Sequence, residues 1–385
     1  MKILHLANFY HEKSGGIKTY LDNKRDHFVS NGFPFRLIIP GEIDSVEQSE
    51  SDDVVVYRIC SSPAPLNPLY RMIWDLVTVH KIAKHENPDL IEINDKYTLA
   101  AVSYFYRKIA KKKIPLVGFH HERLDENLSI YAKDMERFPF LHKLMMEIIC
   151  ACFDRIICAS RYTAEEIEPI APDKIKIINL GTNVELFGPK HADESLRNKL
   201  LNGADRLLLY VGRLAREKNL SLLPPMMELL EAQGINARLV VAGIGVDEHI
   251  LTESGRNDIE LIGFISDRNE MARLLASADA LVFPTLKEPF GLVPLEALAS
   301  GLPVVCSDQG GVLEYCDTEA VRSLTPKPEN FAGALIDIFA NPKERLQEIA
   351  VTHAANFSWH KTFEKQLTFY ENLIADGVET LRLPR

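Results

Sequence analysis

Two carboxylates, Glu288 and Glu296, stand eight positions apart in KEPFGLVPLEALASGLPVV, residues 287 to 305. The apolar run ALVFPT just before them reads as a buried strand, and Pro289 and Gly291 preclude a simple helix in the loop that follows. From there Leu292, Leu295, Leu298 and Ala299 make one apolar stripe at helical spacing, Pro294 is tolerated in the first turn, and Gly301 closes the helix. The amides of Phe290, Gly291 and Leu292 therefore fall at a helix start, where unpaired N–H groups and the macrodipole favour a phosphate or a sugar hydroxyl. Glu288, just before that end, can cap the helix or accept hydrogen bonds from ligand hydroxyls. Glu296 lies further along at about 1.5 Å per residue and can reach a second part of the same ligand. A helix cap followed by a solvated glutamate would leave the same spacing, so other residues must decide.

Arg213 and Lys218 follow the run RLLLYV, and two flexible cations at the carboxyl end of a strand suit a diphosphate. Arg216, between them, reads as a surface residue. In SGGIKTYL, after the first strand, Gly15 and Gly16 open a helix and let backbone approach a phosphate closely. The spacing is not G-x-G-x-x-G, and an ordinary tight strand-to-helix turn would look the same. Gly243 and Gly245 make a turn after RLVVA. His120 ends the strand PLVGFH and projects from its carboxyl edge, although the adjacent His121 leaves the assignment open by one residue. No Asp-x-Asp motif is present, and Asp95 beside Asn94 in INDKY reads as a loop, so no metal is expected.

These residues need a scaffold. A chain of 385 residues suits two domains of common size, and 46 % hydrophobic with 25 % charged residues is a globular profile. A net charge of −10 gives no electrostatic case for binding nucleic acid. The apolar start of MKILHLANFY is too short for a secretory signal and reads as a first strand, and no stretch approaches the roughly 20 apolar residues of a spanning helix. Six cysteines sit mostly in apolar runs without metal-ligand spacing and are expected reduced and buried, in a cytoplasmic protein. Strand runs such as FRLIIPG, DLIEIN, ARLVVAGIG and PVVCSD are apolar almost throughout and alternate with helical patterns. That fits parallel strands covered on both faces. Turn formers and charges place a linker near residues 185 to 203, and EKQLTFYENLIADG reads as an amphipathic carboxy-terminal helix.

EPFGLVPLEALASGLPVV resembles the E-x7-E signature of the retaining nucleotide-sugar glycosyltransferases of family 4, in the GT-B group. SGGIKTYL, FHHERL, CASRYTAEEI, LGTNVELF, YVGRLAREKNL, VAGIG and LIGFISDRNEMARLLASADALVFPT follow in that family's order, so the resemblance spans nearly the whole chain. It implies an α/β fold of two doubly wound Rossmann-like domains facing each other across a cleft. Residues 1–185, with a helix at about 362–385 packing back, would bind the acceptor, and residues 186–361 the donor. It further implies a metal-independent, retaining transfer of a mannose- or glucose-type hexose from a UDP or GDP sugar to a lipid or saccharide. His120 would assist at the donor sugar, Arg213 and Lys218 would neutralise the leaving diphosphate, Glu288 would hold sugar hydroxyls and Glu296 the ribose. Gly243 would face the nucleotide, and backbone around Phe264 would meet the base. Asn183 stands where the family commonly carries aspartate, and no role is assigned to it. The basic cluster Arg107, Lys108, Lys111, Lys112 and Lys113 suits either a peripheral contact with an anionic membrane or a solvated helix end. A nucleotide-sugar binding subunit and a nucleotide-sugar epimerase on the same scaffold are the competing readings. The chain is too short for a phosphorylase.

Overall fold

The computed structural model describes residues 1–10, 15–64, 70–95, 98–101, 104, 114–123 and 139–376. The chain divides into two units, Met1–Asn179 with Thr362–Arg385, and Leu180–Lys361. In the first, eight described strands run in the order Ile175–Ile177, Arg155–Cys158, Leu116–His120, Leu90–Ile93, Ile3–Leu6, Phe35–Gly41, Val54–Cys60 and Ser45–Gln48. All neighbours are parallel except the last pair. Ile3–Leu6, Leu90–Ile93 and Phe35–Gly41 are buried along their whole length, the polar His5, Glu92 and Arg36 included, as strands of a parallel sheet covered on both faces are. The chain winds outward in both directions from the boundary between Ile3–Leu6 and Leu90–Ile93, and ligands of open parallel sheets bind at the carboxyl ends of strands at such a reversal. Asn94, Asp95, His120 and His121 lie at that edge.

The helix Trp359–Ala375 continues past residue 361 into this first unit. Its Tyr370 joins a fully buried polar cluster in which Lys24 Nζ donates to Glu92 Oε2 at 2.5 Å, to Tyr20 Oη at 2.9 Å and to Tyr370 Oη at 3.1 Å. Tyr370 Oη also donates to Glu92, and Tyr20 Oη donates to Gln366 Oε1 at 3.0 Å. Burial pulls Lys24 down to about 8, opposed by Glu92, so the pair remains ionised at neutral pH. His5 Nδ1 lies 3.3 Å from Glu92 Oε1, and burial together with the charge of Lys24 lowers His5 to about 4. The folded value lies below the unfolded one, so this stability is fully present above about pH 6.5 and is lost as pH falls towards 4. Its size is on the order of 3 kcal/mol. Thermal unfolding from pH 7 to 4 is expected to show a steeper loss for the native chain than for His5→Gln; parallel curves would contradict the assignment.

The second unit holds six strands, all parallel, in the order Ile259–Gly263, Ala237–Ala242, Arg206–Val211, Ala280–Phe283, Val304–Ser307 and Val321–Leu324. The reversal falls between Arg206–Val211 and Ala280–Phe283. Residues 185 to 203, expected as a linker, include the helix Glu194–Leu201, which starts where Asp193 accepts from the Leu196 amide at 3.0 Å and stops at left-handed Asn202. Cap chemistry here outweighs the weak periodicity of that stretch. Ser45–Gln48 was not among the expected strands; it is an edge strand with mostly exposed, polar residues. Of the cysteines, Cys60 is exposed and Cys152 and Cys316 half-buried, a correction to the expectation of general burial. Among the described residues, no helix is long and apolar enough to cross a membrane.

Candidate active site

The loops after Arg206–Val211 and Ala280–Phe283 flank the reversal of the second sheet, and they carry four of the charged residues singled out above or their partners. Lys218 ends a short 3-10 turn, Arg216–Lys218, and its Nζ donates to Glu288 Oε2 at 2.8 Å. The two side chains retain only 16 % and 17 % of their exposure, and Nζ lies 5.8 Å from the Phe283 ring centroid. Glu288 therefore does not cap the following helix; its carboxylate is held by the lysine. Arg213 is 61 % exposed and donates from Nη2 to Glu217 Oε1 at 2.6 Å. Burial raises Glu217, but its own backbone amide and the Arg213 guanidinium more than offset this and leave it below the usual carboxylate range. Arg213 thus stands at the rim, anchored by one carboxylate, while Lys218 stands inside.

The helix Leu292–Ala299 starts at Gly291, whose φ of +86° is open to glycine and costly to other residues. A Cβ there would lie 2.6 Å from Tyr315 Oη and 2.8 Å from Val312 Cγ1. Tyr315 Oη donates to the Gly291 carbonyl at 2.5 Å, and the Gly311 amide donates to the Glu288 carbonyl at 2.6 Å. The loop is clamped by its carbonyls, and no side chain caps the helix start. The Phe290 ring is buried edge-on against Tyr315 at 5.4 Å, so what this residue offers a ligand is its amide. Leu292 is half-buried at the first helical position.

Glu296 is not solvated: its side chain is 5 % exposed and pairs with Arg268, whose guanidinium also lies 4.9 Å from the Phe187 ring centroid. Burial pushes Glu296 above the usual carboxylate range, and Arg268 offsets this only in part. Arg268, the partner of Glu296, is a candidate site residue that motif and spacing do not single out. Its one signal was its place in LIGFISDRNEM, directly after the Asp267 cap of the helix Arg268–Ser277. A Cβ on Gly243 would lie 1.9 Å from the Gly212 carbonyl oxygen, so close approach of two strand-end loops is sufficient to require glycine there. Phe264, just past the strand Ile259–Gly263, is 62 % exposed.

In the first unit Gly16 begins the helix Gly16–Ser30, and a Cβ on Gly15 or Gly16 would meet nothing within 4 Å. Packing therefore does not explain these two glycines, and the space beside them is open. His120 is buried with Nε2 2.9 Å from Glu166 Oε2, and the other oxygen of Glu166 lies 2.9 Å from His142 Nε2. His121 is half-buried, with Nε2 2.9 Å from Asn94 Oδ1. Asp95 is buried and accepts from the Asn8 amide at 3.2 Å. Among the described residues no group of three or more His, Cys, Asp or Glu side chains is arranged to hold a metal. The cluster Arg107, Lys108, Lys111, Lys112 and Lys113 lies outside the described residues.

The family model described as Glycosyltransferase Family 4 matches residues 14–186, and that described as Glycosyl transferases group 1 matches residues 192–351. The chain is 28 % identical over 370 residues, 95 % of each chain, to a GDP-mannose-dependent alpha-(1-6)-phosphatidylinositol dimannoside mannosyltransferase of Mycobacterium tuberculosis. Among solved structures, sucrose-phosphate synthase from Thermosynechococcus elongatus superposes with a TM-score of 0.77 at 20 % identity, over 98 % of this chain and 100 % of that one. Anabaena HepE in complex with UDP superposes with a TM-score of 0.72 at 19 % identity, over 97 % and 100 %. The two family models meet near the division between the two units, and both sheets are doubly wound. The chain belongs to the family 4 glycosyltransferases of GT-B fold.

Proposed function

We propose that this glycosyltransferase moves a mannose-type hexose from GDP-mannose to a lipid-linked or saccharide acceptor with retention at the anomeric carbon and without a metal. One observation carries the donor site: Lys218 holds Glu288 at 2.8 Å directly before an uncapped helix start clamped by Tyr315. In this reading the second unit, within residues 186–361, binds the donor. Its diphosphate rests on Lys218, Arg213 and the amides of Phe290, Gly291 and Leu292. Glu288 accepts from sugar hydroxyls, and Glu296, held by Arg268, accepts from the ribose. Gly243 and the backbone at Phe264 border the nucleotide, and Gly15 and Gly16 leave room for phosphate oxygens. One histidine of the pair His120–His121 acts on the donor sugar.

The bond from the anomeric carbon to the diphosphate oxygen breaks with its electron pair leaving on the phosphate. The acceptor hydroxyl forms the new bond on the same face, and its proton passes to the departing phosphate oxygen. Negative charge grows on that oxygen, so fixed cations and amides lower the barrier more than they favour the ground state. The mannose donor and lipid-type acceptor are supported by the relative that spans 95 % of the chain. Incubation with GDP-mannose, GDP-glucose, UDP-glucose and UDP-galactose is expected to show slow donor hydrolysis with GDP-mannose above the others. Hydrolysis of none, with no thermal shift by any of them at millimolar concentration, would refute the reading.

The first unit, residues 1–185 with the carboxy-terminal helix, is assigned the acceptor. On the helix Pro139–Cys152, Phe140, Leu144 and Ile148 are exposed at one-turn spacing, an apolar stripe that supports a peripheral contact with a membrane surface, and the basic residues Arg107, Lys108, Lys111, Lys112 and Lys113 of the sequence would favour an anionic one. Flotation with anionic vesicles at low salt is expected to carry the protein upward; protein left at the bottom of the gradient would contradict this contact.

A further inference from the structure

Cys306 and Cys316 stand ten positions apart in the chain, and their sulfurs lie 3.8 Å from each other. Cys306 is fully buried in the strand Val304–Ser307, paired with Phe283 on one side and Ser323 on the other, so its backbone is held. Cys316 is half-buried and ends the short 3-10 turn Gly311–Tyr315. Its Sγ donates to the Val312 carbonyl at 3.0 Å, and a carbonyl only accepts, so the proton between the two sulfurs comes from Cys306. That hydrogen bond lowers Cys316 below the ordinary thiol range and, together with burial, raises Cys306. The thiol nearer solvent is thus the one that ionises first.

The turn that ends in Cys316 also holds the loop assigned to the donor. Its Gly311 amide donates to the Glu288 carbonyl at 2.6 Å, Tyr315 Oη donates to the Gly291 carbonyl at 2.5 Å, and the Phe290 ring meets Tyr315 edge-on. His353 Nε2 lies 2.9 Å from the Tyr315 carbonyl, part of the peptide bond that leads into Cys316. A disulfide bond is about 2.05 Å long, so the sulfurs must close by roughly 1.8 Å to form one. The strand is fixed by its neighbours, and the turn takes up the movement.

We propose that Cys306 and Cys316 are a reversible disulfide site, and that its closure draws the Gly311–Tyr315 turn off Gly291 and weakens the nucleotide site. Formation of the disulfide is independent of the transferase reading above; its effect on nucleotide rests on that reading. With a peroxide as oxidant, the Cys316 thiolate attacks one peroxide oxygen, the O–O bond breaks and hydroxide leaves, giving a sulfenic acid. The Cys306 sulfur then attacks the Cys316 sulfur, the S–O bond breaks, and hydroxide leaves as water with the proton of the Cys306 thiol. Two thiols give up two electrons, one peroxide becomes two waters, and a dithiol reductant reverses the change.

The test exposes the full-length protein to hydrogen peroxide. Trypsin leaves both cysteines in one peptide, Glu288–Arg322, so the disulfide is expected as a loss of two hydrogens, with neither thiol open to alkylation until dithiothreitol is added. In the oxidised protein, hydrogen–deuterium exchange is expected to quicken over residues 288–299 and 311–316, and GDP to bind about tenfold more weakly, a loss the size of one hydrogen bond. Cys316→Ser keeps a donor for the Val312 carbonyl; it is expected to bind GDP as the reduced native protein does and to be insensitive to peroxide. Both thiols still open to alkylation at a dose that oxidises the exposed Cys60 would overturn the site. A disulfide that leaves exchange and GDP affinity unchanged, or a peroxide effect retained by Cys316→Ser, would overturn its link to the nucleotide. A reduced native protein that does not bind GDP would refute the donor reading instead, and the mass and exchange measurements would still decide the disulfide and the movement of the turn.

Discussion

Glu288→Gln is expected to lower kcat/KM for donor turnover on the order of 100- to 1000-fold while changing Tm by only a few degrees. The substitution keeps the size of the side chain and the backbone clamp, in which the Gly311 amide holds the Glu288 carbonyl at 2.6 Å. What changes is charge. The amide can no longer balance Lys218, which it faces at 2.8 Å, nor accept strongly from sugar hydroxyls. Lys218→Ala should lose a comparable factor by removing the inner cation, and the double variant should lose much less than the product of the two, because the residues act as one unit. Steady-state kinetics on the three variants checks this. Losses that multiply would mean that the contact is not functional.

Arg268→Ala is expected to weaken nucleoside diphosphate binding at least tenfold at pH 7. It should also destabilise the second unit by about 1 to 3 kcal/mol, the range for a buried polar group left without its partner. Glu296 is already raised by burial, and Arg268 is the group that offsets this. For a carboxyl whose folded value lies above the unfolded one, stability is greatest below the ordinary carboxylate range and declines as pH rises through the folded value. The variant should therefore lose stability more steeply with rising pH than the native chain, yet bind nucleotide better as pH rises, since only the ionised Glu296 accepts from two ribose hydroxyls. Calorimetric titration and melting curves across that range separate the two trends. Flat responses in both would show that the pair carries neither role.

Much of this site was legible along the chain because it is local. The helix Leu292–Ala299, its start at Gly291 and its stop at Gly301 follow from apolar spacing and two glycines with positive φ. Strand runs such as RLLLYV, ALVFPT and PVVCSD are apolar enough to be read singly. The pairings were not legible, because they join distant residues: Lys218 with Glu288, 70 positions apart, and Arg268 with Glu296, 28 apart. Periodicity carries no information on which charge a fold will bring to which, and so Glu296 remained open to a solvated reading until its burial was known. Glu166 escaped notice for the same reason, since its contact with His120 spans 46 positions. The helix at Glu194–Leu201 was hidden by a composition typical of loops, and only its caps reveal it.

The most direct test of the donor assignment is a crystal structure of the protein with GDP. The β-phosphate is expected within hydrogen-bond distance of Lys218 Nζ and of the amides at Gly291 and Leu292, with the ribose hydroxyls on Glu296. Diphosphate bound elsewhere, with the Lys218–Glu288 pair undisturbed and no ligand at the Gly291 helix start, would contradict the account.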